Sequence, residues 1–246
     1  MYGDGINCDA ETIWALQLAG FEVLRMHVSD LLNQPEALSS IQLLVLPGGF
    51  SYGDEIASGK VLAIKLAEKL QESLYSFIDS GRLVLGICNG FQVLVQLGLL
   101  PLPGPSQPRL VSLMHNAQAK FLNKWVKLKI SEIKNNRFFH GFTEIELPIR
   151  HGEGKIVLEP SRSESVEQQV KELAPLRYID DVNGSFDKIA ALTNPSGNVL
   201  GLMPHPEAFV RWTQNPSWTS NSKKGKQSSE LPHGLAILSN AAASLN

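Results

Sequence analysis

One cysteine of this sequence stands where a reactive nucleophile is expected. Cys88 lies in Gly86-Ile87-Cys88-Asn89-Gly90, which follows an apolar run and precedes a helical pattern. A Gly-x-nucleophile-x-Gly segment between a strand and a helix is typical of a nucleophile elbow, a strained turn that exposes the reactive atom. The following helix N-terminus favours negative charge on the sulfur. We therefore predict that Cys88 is a nucleophile rather than a buried structural cysteine.

A cysteine nucleophile needs an acid and base, and His205 with Glu207 is the best candidate pair. Both lie in Met203-Pro204-His205-Pro206-Glu207, at the end of an apolar run. The flanking prolines restrict the backbone, so the imidazole is held on a stiff segment. Glu207 can bind the far ring nitrogen and set the tautomer. A lone histidine is more often a surface or core residue, so the pair gains its weight from the Cys88 elbow.

Two other residues compete for a chemical role. Cys8 lies between Asn7 and Asp9 at the start of a helical pattern and has no glycine elbow, so a structural role is favoured for it. His151 opens the turn His151-Gly152-Glu153-Gly154, which either lines a site or is an exposed β-turn. The two cysteines show neither a metal-ligand spacing nor a disulfide framework, so no metal site is predicted.

A third segment offers backbone donors for a developing negative charge. Pro47-Gly48-Gly49 ends an apolar run. The N–H of Gly49, with that of Asn89, can form an oxyanion hole in which each donor contributes about 3–4 kcal/mol to transition-state stabilisation. The simpler interpretation is a tight turn at a strand exit, and one segment can do both.

The elements that must position these residues alternate between strand and helix in the first half. The patterns predict strands at 21–27, 41–46 and 83–87, and helices at 9–20, 58–80 and 91–97. Such alternation predicts a parallel sheet with helices on both faces, and ligands bind at the carboxyl ends of its strands. The Gly48-Gly49 turn, Cys88 and His205 each follow one predicted strand end.

The second half adds a different pattern. Apolar residues alternate with charged ones in 126–130 and 144–149, which predicts half-exposed, partly antiparallel strands. The polar and charged residues 160–173 predict a surface excursion, and residues 194–197 predict a turn that leads into a strand at 199–203. Residues 213–233 are predicted to form a mobile polar loop, and residues 235–245 a final helix. The predicted fold is a single α/β domain over residues 1–246. It is flavodoxin-like and doubly wound, with a mostly parallel sheet, flanking helices and an added antiparallel strand region.

The amino-acid composition argues against some classes of binding partner. The 246 residues are 43% hydrophobic and 19% charged, with a formal net charge of -2. Nucleic acids and anionic membranes require a basic surface, so neither is expected as a partner. No apolar run reaches membrane-spanning length and no targeting segment is recognised, so a cytoplasmic location is expected.

The motifs together resemble class I glutamine amidotransferases. The resemblance rests on the Cys88 elbow extended by Phe91-Gln92, on the 46–54 stretch LPGGFSYGD, and on Pro204-His205-Pro206-Glu207. More narrowly, the chain resembles the glutaminase subunits of phosphoribosylformylglycinamidine synthases. That narrower match is supported by Asn7-Cys8-Asp9, the His151 turn, Asn183-Gly184-Ser185 and the 197–201 stretch GNVLG.

The resemblance implies a mechanism and an assembly. Cys88 would attack the side-chain amide of glutamine, with His205 and Glu207 completing the triad. The substrate would be held by Gly48, Phe50, Gln92, His151 and Gly152. Ammonia would pass to a large synthase subunit, which binds ATP and Mg²⁺, and a small third subunit would bridge the assembly. This chain would itself need no cofactor. The alternatives are a glutaminase of another amidotransferase, a related cysteine hydrolase of the same fold, or a non-catalytic scaffold subunit.

The sequence departs from the family pattern at three places. Members have a complete strand before the first glycine turn, whereas here that strand is missing or shortened, which would leave backbone groups of the sheet unpaired. Ala208 replaces the arginine that commonly follows Glu207. The 213–233 segment is longer and more polar than the family pattern.

Overall fold

The computed structural model describes residues 1–104, 107, 109–159, 163–222 and 230–245. Within them the chain forms seven α-helices and nine β-strands. The helices are α1 Asp9–Leu18, α2 Val28–Asn33, α3 Lys60–Asp79, α4 Asn89–Gln96, α5 Glu164–Glu172, α6 Trp218–Ser222 and α7 His233–Ala243. The strands are β1 Leu43–Leu46, β2 Leu83–Ile87, β3 Val111–His115, β4 Leu122–Ile130, β5 Glu144–His151, β6 Glu153–Leu158, β7 Leu176–Tyr178, β8 Ile189–Thr193 and β9 Val199–Leu202.

One mixed sheet organises the molecule. Its seven strands lie in the order β1-β2-β9-β8-β7-β4-β5. β1, β2 and β9 are parallel neighbours, whereas β9-β8, β8-β7, β7-β4 and β4-β5 are antiparallel pairs. β3 and β6 form a separate antiparallel pair. The α/β class with an added antiparallel region is confirmed, and the antiparallel part is larger than the sequence pattern indicated.

The parallel half is assembled from elements whose sequence patterns identify them directly. All five residues of β2 are buried, as expected for a strand covered on both faces. The stripe predicted on α3 is buried at each of its positions, namely Leu62, Leu66, Leu70, Leu74 and Phe77. α7 buries Ile237, Leu238 and Ala241. These apolar surfaces form one core that holds the strand ends in place.

The N-terminal region departs from prediction, because the strand expected at 21–27 is absent. Residues 21–26 adopt neither helix nor strand. Within the described part of the chain, the predicted 21–27 strand makes one ladder contact, a parallel bridge from His27 to Tyr2. A groove of about 610 Å³ lies between this segment and β1. On the outer edge of β1, the Met1 ammonium donates to Val45 O at 3.2 Å. A β pattern is realised only where a neighbouring strand supplies hydrogen bonds. Residues 1–7 supply the 21–27 segment with the single bridge at Tyr2, and their other bridge, at Ile6, is to Gly49.

The remaining surface segments are partly helical. α5 occupies most of the predicted 160–173 excursion and buries only Val170, while residues 160–162 lie outside the described part. The predicted loop at 213–233 contains α6 and part of a 3₁₀ turn at Trp212–Gln214, and its residues 223–229 are likewise not described. Among the described residues no helix combines the length and the apolarity needed to cross a bilayer.

Candidate active site

Three strand ends meet at one edge of the sheet. Because β1, β2 and β9 are parallel and in register, Leu46 lies beside Gly86, and Ile87 beside Leu202. The residues that follow these strands therefore converge. A Cβ on Gly48 would lie 2.9 Å from His205 Cε1 and 3.5 Å from Cys88 Cβ, so the turn, the thiol residue and the imidazole lie close together and leave no room for a side chain at residue 48.

Cys88 has the strained backbone of an elbow. Its φ of 51° and ψ of −104° lie in a sparsely populated region for a residue with a side chain. Its N–H donates to Leu202 O at 2.8 Å, and its sulfur lies 3.7 Å from Arg150 O. These contacts hold the sulfur at the start of α4, above the carboxyl end of β2.

The two elbow glycines are required by close packing. A Cβ on Gly90 would lie 1.9 Å from Leu46 O, and one on Gly86 would lie 2.7 Å from Gly90 O. Real Cβ atoms do not approach other atoms so closely, so any side chain here would push α4 away from β1 and β2. The spacing that identified the motif therefore reflects how tightly the helix start packs on the strands.

His205 and Glu207 form a buried pair. Nδ1 of His205 lies 2.6 Å from Oε1 of Glu207, and the two side chains are 2% and 1% exposed. The His205 N–H donates to Pro148 O at 2.9 Å, which ties the segment after β9 to β5. Nε2 of His205 has no hydrogen-bond partner among the described residues. The imidazole is thus oriented at one nitrogen and available for proton transfer at the other.

The electrostatics favour a charged imidazole. Burial alone lowers the pKa of His205, but the Glu207 carboxylate and then Cys88 outweigh it, so that its pKa lies well above the ordinary value. An imidazolium beside a sulfur is the arrangement that stabilises a thiolate nucleophile.

Two backbone donors lie beside the nucleophile. Asn89 is the first residue of α4, so its N–H has no acceptor within the helix. The Gly49 N–H likewise has no acceptor among the described residues. Glycine is required at this position, because φ is 142° and a Cβ would lie 2.7 Å from Asn7 N. These are the donors predicted for an oxyanion.

The Asn89 and Gln92 side chains hold the framework of the site. Asn89 Nδ2 donates to Asp54 Oδ1 at 2.8 Å and to Gln92 Oε1 at 3.0 Å, and its Oδ1 accepts from the Ser51 N–H at 3.2 Å. Gln92 Nε2 donates to Glu153 O at 2.8 Å. Both ends of the Gln92 amide are therefore bonded to the protein, so it joins α4 to the turn after His151. Asp54 belongs to a quoted motif, but no role was predicted for it.

Phe50 and Gly152 lie at the solvent side of the site. Phe50 is 46% exposed, and its ring lies 6.4 Å from that of Phe121. A Cβ on Gly152 would come no closer than 3.8 Å to Phe121. Space is thus open at the positions for which substrate contacts were predicted.

His151 is buried, and its tautomer follows from its neighbours. Asn116 Nδ2 donates to Lys120 O at 2.9 Å and His151 O at 2.8 Å, so its Oδ1 must accept from His151 Nδ1 at 3.1 Å. Burial, with a smaller effect of His205, lowers the pKa of His151 to about 4. The ring is therefore neutral and presents an unpartnered Nε2 lone pair. This excludes an exposed turn position for the side chain.

Comparison with known proteins identifies the family. The sequence model of the CobB/CobQ-like glutamine amidotransferase domain matches residues 1–242. The chain belongs to this amidotransferase family. The phosphoribosylformylglycinamidine synthase subunit PurQ of Dehalococcoides mccartyi is 38% identical over 245 residues, which cover 96% of this chain and 92% of the relative. The corresponding Thermotoga maritima subunit is 40% identical over 209 residues, 84% of each chain.

A solved structure supports the same assignment at the level of the fold. A chain in the PurLQS structure from Thermotoga maritima is 32% identical and superposes with a TM-score of 0.75. The match covers 100% of this chain and 96% of that chain. The resemblance inferred from the sequence motifs, including the narrower one to glutaminase subunits of the synthase, is thereby confirmed.

The structure of this amidotransferase also places a residue that the sequence analysis set aside. The Cys8 sulfur, a ring nitrogen of His205 and a carboxylate oxygen of Glu207 all lie within 4.8 Å of one another and are buried. These atoms are of types that bind zinc, but His205 Nδ1 is already bonded to Glu207. Nothing in the local sequence signals the proximity, because it arises where the Cys8 N–H meets Gly48 O at 3.2 Å.

Proposed function

We propose that this chain hydrolyses the side-chain amide of glutamine through a Cys88 thioester. The observation that carries the proposal is the buried His205–Glu207 pair beside the elbow cysteine. Cys88 attacks the amide carbon, and the N–H groups of Gly49 and Asn89 stabilise the oxyanion. His205 gives a proton to the departing ammonia and then activates the water that hydrolyses the thioester.

Each group of the site has a defined task. Glu207 orients the imidazole and stabilises its charge. Phe50, Gly48 and the His151–Gly152 turn border the space that receives glutamine, and the His151 ring is neutral and buried within that turn. Gln92 acts by holding that turn. The triad accounts for every proton transfer in the hydrolysis, so no metal or nucleotide is assigned to this chain.

The ammonia is destined for a second active site. The relatives are subunits of phosphoribosylformylglycinamidine synthase, and the solved neighbour is a PurLQS structure. The chain therefore assembles with a large synthase subunit, which binds ATP and Mg²⁺, and with a small bridging subunit. The product is phosphoribosylformylglycinamidine, an intermediate of purine biosynthesis. We place this ATP-consuming step in the cytoplasm, and cell fractionation tests that placement.

The test is glutamine hydrolysis by wild type and by Cys88→Ala, with and without the synthase subunits. Alanine meets the same positive φ as cysteine, so the variant should keep the fold. We expect wild-type activity to rise strongly with the synthase subunits and Cys88→Ala to be inactive in both states. Glutaminase activity retained by a folded Cys88→Ala protein would refute the proposal.

A further inference from the structure

Cys8 is a second buried thiol at the catalytic imidazole, and its backbone is held at both ends. Its N–H donates to Gly48 O at 3.2 Å. Its carbonyl accepts from Thr12 Oγ1 at 2.6 Å and from the Thr12 N–H at 3.1 Å. The residue thus joins the N-terminus of α1 to the turn that follows β1, which places its backbone beside the site.

The sulfur of Cys8 lies against His205. The point where a Gly48 Cβ would stand is 3.3 Å from Cys8 Sγ and 2.9 Å from His205 Cε1, with Cys88 Cβ at 3.5 Å. The sulfur is within 4.8 Å of both a His205 ring nitrogen and a Glu207 carboxylate oxygen. The imidazole is therefore bordered by two thiol residues, and only Cys88 has the elbow geometry of a nucleophile.

The protonation state of Cys8 fits a supporting role. Burial raises the pKa of the Cys8 thiol, and the interaction with His205 only partly offsets this. The thiol is therefore neutral at pH 7 and has a polarisable sulfur with lone pairs beside a ring that carries positive charge. A neutral sulfur can stabilise that charge without competing for the electrophile.

We propose that Cys8 is a positioning residue of the glutaminase site, where its thiol holds the His205 ring in line with Cys88 and stabilises the imidazolium. This inference rests on the proposed triad and adds a fourth side chain to it. Cys8 contacts no substrate in this role. It acts through His205, which must be protonated when ammonia departs.

The stabilisation of the His205 imidazolium by Cys8 should change the pH dependence of kcat. The groups that face His205 are Glu207, Cys88, Cys8 and the neutral His151. The alkaline limb reports loss of the His205 proton. Because Cys8 favours the charged ring, Cys8→Ala lowers the pKa of His205 and moves the alkaline limb to lower pH. In Cys8→Ser the hydroxyl oxygen retains lone pairs beside the ring, so the alkaline limb should return part of the way to its wild-type pH.

The experiment compares Cys8→Ala, Cys8→Ser and Thr12→Ala in the assembled enzyme with saturating glutamine. Thr12→Ala is the matched control, since it removes a bond to the Cys8 carbonyl and leaves the thiol. We expect Cys8→Ala to lower kcat about tenfold, the scale of a lost contact with a charged group, with little change in KM. Cys8→Ser should recover part of kcat and of the pH limb, and Thr12→Ala should match wild type in both.

The outcomes separate this inference from the proposed function. If Cys8→Ala retains the wild-type kcat and the wild-type alkaline limb of the pH profile while Cys88→Ala is inactive, the proposed role of Cys8 is refuted and the proposed glutaminase mechanism is not. Equal losses of kcat in Cys8→Ala, Cys8→Ser and Thr12→Ala would also overturn the proposed role of Cys8. Such a result would mean that the variants act by shifting α1 and not by removing the thiol. Glutamine hydrolysis that persists in Cys88→Ala would instead refute the proposed Cys88–His205–Glu207 triad. Melting temperatures of all variants confirm that folded proteins are compared.

Discussion

At the scale of single residues, chemistry depends on charges that the protein holds out of water. Glu207 is 1% exposed and is bonded to an imidazole that is 2% exposed. A buried carboxylate is tolerated only where a partner compensates it. The pair is therefore stable in one arrangement, which leaves Nε2 of His205 without a hydrogen-bond partner among the described residues and available for the proposed proton transfers.

Replacing Glu207 by glutamine tests this dependence. Glu207→Gln keeps the volume but removes the charge that raises the pKa of His205, and it allows the wrong tautomer. We expect kcat for glutamine hydrolysis to fall about 10³-fold or more, as for the equivalent change in serine protease triads. The exposed Glu172→Gln is the matched control and should show wild-type kinetics. A loss below tenfold would show that the pair does not orient the catalytic ring.

His151 makes a prediction about stability and pH. Its pKa is about 4 in the folded protein and 6.5 is the ordinary value for histidine, so the unfolded chain binds more protons between these two pH values. Its contribution is complete above pH 6.5 and is lost as the pH falls toward 4. Between pH 7 and pH 5 the unfolding free energy of wild type should therefore fall by about 2 kcal/mol more than that of His151→Gln. Urea denaturation of both proteins at the two pH values measures the difference.

At the scale of elements, the elbow that carries the proposed nucleophile is also a packing feature. α4 begins at Asn89, directly after the strained Cys88, and Gly90 rests on the carbonyl of Leu46. β1, β2 and α4 can approach this closely only because Gly86 and Gly90 lack side chains. The strain at Cys88 is maintained by the core around it, since both β2 and α4 are almost entirely buried.

Gly90→Ala should therefore cost much more stability than an ordinary glycine substitution. The new Cβ would lie 1.9 Å from Leu46 O, so α4 must move, and we expect a loss of more than about 3 kcal/mol together with loss of activity. Gly98→Ala is the comparison, because nothing lies within 4 Å of its Cβ position and only its φ of 72° is strained. It should cost about 1 kcal/mol. Similar unfolding free energies for the two variants would contradict this account of the elbow.

At the scale of the whole molecule, the chain supplies ammonia to chemistry that takes place in another subunit. Free ammonia at neutral pH is mostly protonated and is then not nucleophilic. Delivery within an assembly avoids that loss, which gives a physical reason for a glutaminase that works with a synthase. The two activities should therefore be separable by a change in this chain alone.

The assembled enzyme should lose only its glutamine-dependent synthesis in Cys88→Ala. With ammonium chloride at alkaline pH, where more free ammonia is present, formation of the amidine should continue at a rate comparable to wild type. Product formation with each nitrogen source measures this, and native mass spectrometry confirms that the variant still assembles. If both nitrogen sources fail in an intact assembly, the synthase reaction depends on this subunit in a further way.

Much of this protein was predictable because local patterns agree with the tertiary environment. β2, α3 and α4 each combine a strong apolar pattern with a terminal glycine or motif, and all three lie within a few residues of their predicted bounds. The strand predicted at 21–27 is wrong, because this segment has no neighbouring strand with which to form a ladder. Hydrogen bonds between strands are non-local, so a pattern within one segment cannot report their absence.

The order of residues in the chain by itself determined the nucleophile motif, the candidate His205–Glu207 pair and the alternation that predicts converging strand ends. Spacing along the chain encodes these features, since elbows, stiff turns and amphipathic stripes are local. Only the tertiary structure decided that Cys8 lies against His205 and that His151 is neutral and buried. Both depend on contacts between distant segments, namely Cys8 with Gly48 and Asn116 with His151, and burial at such contacts sets the charge of a group.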